Sequence, residues 1–340
     1  MKSVIIFGGC GYIGINLAEY LINQNAYSTI YLADIRKPSQ EFLYSKFEKL
    51  INTNKVLFCE INIKNEITIK SLNQIDLIVD CAAVHREPGH QDHEYYETNV
   101  NGSKNICKFA EKINCNNIVF TSSISTYGSG NHEKDESTKT KPTTAYGKSK
   151  LEAETNYINW KEQNSDSKIL TICRSGVVFG PGELGNVTRL IKAIKNNSFF
   201  FMGNKDLKKG GIYIKELINA LCWVNENQVN KNFSNFELFN ATFYPCPTIY
   251  DYVKSINSVL NIEKQYISLP KIIIKLFIDL TSIITKSLKS SSSFHYIRLN
   301  KLFISNFIKP NFLLNKNYSF KYTLKSSMED WNKSNFSDWS

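Results

Sequence analysis

Residues 7–14 read FGGCGYIG and follow directly on the apolar run SVIIF at 3–7. Gly8, Gly11 and Gly14 recur at every third residue, and the stretch from Ile15 to Asn23 has the length and pattern of a helix. Glycine is needed where the chain turns sharply, where backbone meets a pyrophosphate, and where helix and strand pack closely; the helix N-terminus then faces the phosphates. The turn therefore reads as a dinucleotide site, with Tyr12 and Ile13 in it beside the glycines. Twenty residues beyond Gly14, Asp34 lies at the end of a second apolar run, TIYLADI at 29–35. A carboxylate there hydrogen-bonds an adenosine ribose hydroxyl and repels a 2′-phosphate, which favours NAD over NADP. Arg36, two residues on, could hold that phosphate and keeps NADP as the lesser alternative.

The same rhythm continues outward. VLFCEIN (56–62), DLIVDCAA (76–83), NIVFTSS (117–123) and ILTICRSG (169–176) are short, apolar and separated by helix-length stretches such as Asn99 to Lys112 and Ala145 to Lys161. Strands this apolar predict a parallel sheet covered on both faces, an α/β doubly wound fold of the Rossmann type. Glu60 and Ile61 would border the adenine, and Ala82, Ala83 and Val84 leave room for the cofactor beside the fourth strand. After Gly180 the rhythm is lost in GPGELGN. The expected division is a dinucleotide-binding domain at 1–180 and a smaller α+β substrate lobe at 181–340, with segments returning to the sheet. Within that lobe, KIIIKLFIDLTSIITKSLK (271–289) confines Lys271, Lys275, Asp279, Ser282 and Lys286 to one helical stripe. It predicts a buried or interfacial helix, because a membrane span needs about 20 uninterrupted apolar residues.

Composition narrows the partners. The net charge of +10 over 340 residues admits nucleic acid, an anionic membrane surface or an anionic small molecule. No helix-turn-helix, RNP or zinc-finger pattern accompanies it, which argues against nucleic acid. The eight cysteines form no C-x-x-C pair and sit among apolar neighbours, as reduced thiols of a cytoplasmic protein do. The opening MKSVIIFGGCG reads as a strand running into glycines, not as a signal peptide. His85, His90 and His93 share the loop VHREPGHQDH (84–93) without a supporting cysteine or carboxylate pattern, so no metal is expected.

One pattern occurs three times: Tyr-x-x-x-Lys, at Tyr146/Lys150, Tyr157/Lys161 and Tyr250/Lys254. Spacing alone does not choose among them. GGCGYIG, DCAAVH, YYETNVNGSKN, FTSSISTYG, AYGKSKLEAE and RSGVVFGPG, in that order over residues 1–225, make the chain resemble the extended short-chain dehydrogenase/reductase family. The likeness is to its NAD-dependent nucleotide-sugar epimerase, dehydratase and reductase branch. The resemblance implies that Ser123, Tyr146 and Lys150 are the catalytic set, and that Tyr157 and Tyr250 are structural. It also places Tyr146, Lys150 and Asn99 beside the cofactor, with Asn99 bracing the active-site helix. A phenol is a poor base at pH 7, and lowering its pKa by about three units takes roughly 4 kcal/mol. Lys150, one helical turn along, and the positive nicotinamide are the cations that would do so.

The resemblance further places Ser123, His85 and Arg86 at the sugar, and Asn186, Arg189, Lys208 and Lys209 at the diphosphate and base of a nucleotide-sugar substrate. It implies a homodimer without an integral membrane span. Two departures bear on the reaction. Val177 stands where many relatives carry a substrate-contacting Asn, and Ile124–Ser125 stand where 4,6-dehydratases carry an Asp-Glu pair, which disfavours dehydration. The expected activity is 4-epimerisation of a UDP-hexose or UDP-N-acetylhexosamine. The alternatives are a 4-keto-6-deoxy-sugar reductase for surface polysaccharides and a hydroxysteroid-dehydrogenase-like enzyme acting on a hydrophobic alcohol.

Overall fold

The computed structural model describes residues 2–340 except 70–71, 73, 87–88, 165, 271 and 273–302. Thirteen strands are described: β1 (Ser3–Phe7), β2 (Thr29–Asp34), β3 (Val56–Glu60), β4 (Leu77–Asp80), β5 (Asn117–Ser123), β6 (Gly130–Lys134), β7 (Ile169–Ser175), β8 (Val177–Phe179), β9 (Phe201–Met202), β10 (Gly211–Tyr213), β11 (Phe236–Ala241), β12 (Ser268–Leu269) and β13 (Asn306–Ile308). Seven form one parallel sheet in the order β11-β7-β5-β4-β1-β2-β3. The order reverses between β1 and β4, and the crevice beyond their C-terminal ends is where such sheets take a ligand.

Both faces of this sheet are covered, and β1 shows why its sequence is apolar without interruption. Val4 and Ile6 pack with Leu17 and Leu21 of α1 (Tyr12–Asn23) and with α2 (Glu41–Ile51). Ile5 and Phe7 point the other way, towards Ile106 and Phe109 of a helix on the opposite face. That helix begins as α3 (Asp92–Tyr95), widens into a π turn at Tyr96–Asn101 and continues as α4 (Gly102–Lys112). Beside it α5 (Ala145–Glu162) buries Ala153, Tyr157 and Trp160.

The second half builds α6 (Asn186–Lys195), α7 (Ile214–Val229) and α8 (Ile249–Leu260) around three two-stranded pairs, β8 with β10, β9 with β12, and β6 with β13. One segment returns to the main sheet: β11 pairs with β7 from Phe236↔Leu170 to Ala241↔Ser175. The C-terminal segment reaches back as well, for Asp338 Oδ2 accepts the Gly182 N–H at 2.7 Å and the Trp331 indole N–H at 2.8 Å. Among the described residues no helix is long and apolar enough to cross a membrane. The helix expected at 271–289 lies outside the described residues, apart from Ile272.

Candidate active site

The glycine turn closes against β4. Gly8 has φ +69°, and a Cβ there would stand 2.6 Å from the Ala82 nitrogen; a Cβ at Gly14 would stand 2.5 Å from the Gly8 carbonyl oxygen. Neither position admits a side chain without backbone movement. Gly11 opens α1 with no side-chain cap, so the amides of its first turn are not met by a capping group. Asp34 fixes this turn from β2, its Oδ2 accepting the Cys10 N–H at 3.0 Å and its Oδ1 the Ile35 N–H at 2.8 Å. Burial pushes its carboxyl above the usual range, against the pull of those amides and of Arg36. Arg36 itself is exposed, Glu60 faces Asp34 in the β2–β3 register, and the Ile61 N–H donates to the Asp34 carbonyl at 2.9 Å. The buried Tyr12 phenol lies against Gly180 and feels the charges of Glu183 and Asp338, while Ile13 packs on the core. A glycine cradle, an uncapped helix start and a carboxylate at the second strand tip together fit a dinucleotide.

Ser123 ends β5 and is almost buried; its Oγ accepts the Ser125 N–H at 3.2 Å and lies 3.2 Å from the Ser125 Oγ. Tyr146 and Lys150 follow on α5, which is capped by the Thr144 hydroxyl accepting the Gly147 N–H at 3.1 Å. This helix start is pressed against the turn after Ser123, because a Cβ on Gly147 would stand 2.6 Å from the Ser125 carbonyl oxygen. Asn99, buried in the π turn, ties the parts together. Its Oδ1 accepts the Val84 N–H at 2.9 Å, and its Nδ2 donates to the Val84 carbonyl at 3.1 Å and to the Ser149 Oγ at 2.9 Å. The Ser149 hydroxyl donates in turn to the Tyr146 carbonyl at 2.9 Å. The π turn thus sits where the chemistry is expected, as such turns often do.

Lys150 is buried with its Nζ 4.1 Å from the centre of the Phe120 ring. Burial lowers its proton affinity, and Asp80, Cys81 and Glu154 oppose that. His85 lies in the loop after β4, exposed yet partly crowded by protein. Its imidazole is held below the usual range by that crowding and by Arg86, Lys150 and His90. Arg86 is exposed beside it, and its carbonyl accepts the Tyr95 hydroxyl. Of the competing tyrosines, Tyr157 is fully buried and donates to Asp80 Oδ2 at 2.7 Å, whereas Tyr250 lies exposed on α8.

The substrate-side residues fall into two places. Asn186 and Arg189 are exposed at the start of α6, where Arg189 donates to the Asn186 Oδ1 at 3.1 Å and to the Gly185 carbonyl at 2.9 Å. Lys208 and Lys209 bridge instead to Thr248 and Asn306. The Lys209 Nζ donates to the Ile304 carbonyl at 2.7 Å, and burial pushes its ammonium down to about 8. Val177, on β8, is partly exposed.

Sequence reasoning missed the buried pair beneath the site. Arg174 holds Glu154 through two hydrogen bonds, Nε–Oε1 at 3.0 Å and Nη2–Oε2 at 2.6 Å, and Ser122 donates to the same carboxylate. The signal was a glutamate one turn beyond Lys150 and a lone arginine in the apolar run ILTICRSG. Asp80, the single charge at the end of LIVD, was missed in the same way.

Comparison with known proteins agrees with the fold. The chain is 26% identical over 268 residues, 79% of its length and 75% of the relative's, to the N-acetyl-alpha-D-glucosaminyl-diphospho-ditrans,octacis-undecaprenol 4-epimerase of Escherichia coli O157:H7. It is 28% identical over 221 residues to the decarboxylating sterol-4-alpha-carboxylate 3-dehydrogenase of Saccharomyces cerevisiae, covering 61% of this chain and 60% of that one. The crystal structure of UDP-glucuronic acid 4-epimerase from Bacillus cereus in complex with NAD shares the fold, with a TM-score of 0.74 and 19% identity over 98% of this chain and 99% of that one. The model of the NAD dependent epimerase/dehydratase family matches residues 4–238, and the chain belongs to that family.

Proposed function

We propose that the enzyme is an NAD-dependent 4-epimerase of nucleotide sugars, a UDP-hexose or UDP-N-acetylhexosamine. The observation that carries this reading is the assembly of Ser123 at the tip of β5 against the α5 start that bears Tyr146 and Lys150, beside a glycine cradle fitted to a dinucleotide. NAD, when bound, supplies a hydride acceptor that can return the hydride. The chain's own part is proton handling and placement. Tyr146 takes the proton from the sugar hydroxyl and gives it back, Lys150 favours the phenolate and grips the nicotinamide ribose, and Ser123 holds the reacting oxygen in line. Asn99 keeps Tyr146 in register through Ser149. After Ser123 come Ile124 and Ser125, neither of which serves as the acid or base that dehydration requires.

Arg189, exposed at the start of α6, is more open to the diphosphate than the half-buried Lys208 and Lys209. The protein acts as a homodimer in the cytoplasm, a reading supported by its eight free thiols and by its resemblance to the branch; light scattering on the purified protein checks the dimer. A second reading, a sugar carried on a polyprenyl diphosphate, is favoured by the Escherichia coli relative, and the yeast relative favours a hydrophobic alcohol. The test incubates pure protein with UDP-glucose, UDP-N-acetylglucosamine, a UDP-4-keto-6-deoxy sugar, polyprenyl-diphosphate N-acetylglucosamine and a 3-hydroxysteroid, with and without NADH or NADPH. Interconversion of the UDP-sugar C4 epimers without added reductant is the expected result. Stoichiometric consumption of reductant with the keto sugar alone makes the enzyme a reductase and overturns it.

A further inference from the structure

Lys150 is buried near two carboxylates, and one of them is already engaged. Glu154, one turn along α5, is held bidentately by Arg174. Asp80 is 2% exposed at the end of β4 and forms no close ion pair among the described residues. Its two oxygens each accept a hydrogen bond, Oδ2 from the Tyr157 hydroxyl at 2.7 Å and Oδ1 from the Ala82 N–H at 2.9 Å. Two donors aimed at it, and none required of it, suit a carboxylate. Asp80 stands beside Phe120 in the β4–β5 register, and the Phe120 ring lies 4.1 Å from the Lys150 Nζ and 4.7 Å from the Tyr157 ring centre. Four side chains from β4, β5 and α5 thus share one buried space under the site.

A buried ammonium without a counter-charge costs several kcal/mol. The face of Phe120 offsets part of that. Resting on the reading of Lys150 given above, we propose that Asp80 is its positioning residue: the carboxylate, fixed by Tyr157 and Ala82, is the counter-charge that keeps the lysine an ammonium at the nicotinamide ribose. The mutual influence of the two groups agrees, each opposing the effect of burial on the other. Around them face Cys81 after β4, Cys107 from α4, His85 from the loop, and Glu154 and Arg174 from α5 and β7. Burial pushes the Cys81 thiol to about 12 and Cys107 up as well, and holds His85 below its usual range, so these are neutral at pH 7. Arg86 is exposed beyond His85, and Glu154 and Arg174 offset one another. That leaves Asp80 as the uncompensated negative charge beside Lys150.

Removing a buried anion lowers the proton affinity of the groups beside it. NAD affinity is measured by calorimetry from about pH 6 to about pH 11, since burial moves the lysine's titration down from its ordinary value. In the unmodified protein affinity declines at the alkaline end as Lys150 loses its proton, and Lys150→Met lacks that decline. In Asp80→Asn the decline begins about one pH unit lower, giving roughly tenfold weaker binding at a pH where the unmodified protein still binds fully. Should Asp80→Asn fail to fold, the double variant Asp80→Asn/Tyr157→Phe removes the unmatched hydroxyl together with the charge and carries the same expectation. A folded variant that loses melting temperature but keeps the midpoint of its decline shows a structural role only and overturns the proposal. A decline that persists in Lys150→Met overturns it too. Failure to turn over any nucleotide sugar defeats the functional reading alone, because this readout uses no sugar.

Discussion

At the scale of single residues, Tyr146 and Asp34 make opposite demands on an experiment. Tyr146→Phe removes a proton carrier and no cofactor grip, so turnover falls by about a thousandfold while NAD affinity holds within about twofold; single-turnover kinetics beside calorimetry separate the two. Asp34→Ala removes a ribose partner and frees the Cys10 amide, so NAD affinity weakens by about tenfold and the preference over NADP narrows. Preference of the unmodified protein for NADP would make Arg36 the discriminator instead. The pH dependence follows from the raised carboxyl of Asp34. Its hydrogen bonds to a ribose exist above its folded-state pKa and are lost as pH falls through it. NAD affinity therefore declines on acidification at a higher pH than an ordinary aspartate would give, and Asp34→Asn abolishes that part of the profile. Both were reachable from the sequence, Asp34 by its offset from the glycine turn and Tyr146 only through the motifs that carry the family resemblance. Asp80 and Glu154 were not, because a buried charge shows its role only through its partner, and Tyr157 and Arg174 lie 77 and 20 residues away from them.

At the scale of elements, the start of α5 is placed by contact more than by covalent neighbours. Gly147→Ala sets a methyl 2.6 Å from the Ser125 carbonyl and must move α5 off the turn that carries Ser123. A misplacement of about 1 Å costs roughly a hundredfold in rate, so kcat drops, and the forced backbone shift lowers the melting temperature as well. Glu154→Gln acts by charge instead, since it leaves Arg174 buried without its counter-charge and costs about 3–5 kcal/mol, read as a lowered denaturant midpoint. β1, β2 and β4 announced themselves because they are buried on both faces and so are nearly continuous apolar runs. FELFNA did not: its outer half is exposed or half-buried, and Glu237 and Asn240 interrupt its apolar pattern. The substrate residues were the least legible, as Lys208 and Lys209 are adjacent in sequence to a loop but settled by Thr248, Ile304 and Asn306, which come a long way later.

At the scale of the whole molecule, β11 and the C-terminal segment tie the second half to the first. Asp338→Ala leaves the Gly182 N–H and the Trp331 indole N–H unmet, costing about 2–4 kcal/mol; a melting curve reads this directly, and an unchanged midpoint would show that this tie is dispensable. The seventh strand carries a consequence for how the protein is made. β7 is buried from Leu170 to Ser175, and β11 covers its outer edge along that length. Until residue 241 has left the ribosome, the rim of ILTICRS is a bare template for pairing with a neighbour. At about 5–20 residues per second, the 66 residues between Ser175 and Ala241 keep it uncovered for roughly 3–13 seconds. A nascent chain stalled anywhere in that window is therefore the form a chaperone must shield, and a fragment ending at residue 180 aggregates into large species where the full chain does not.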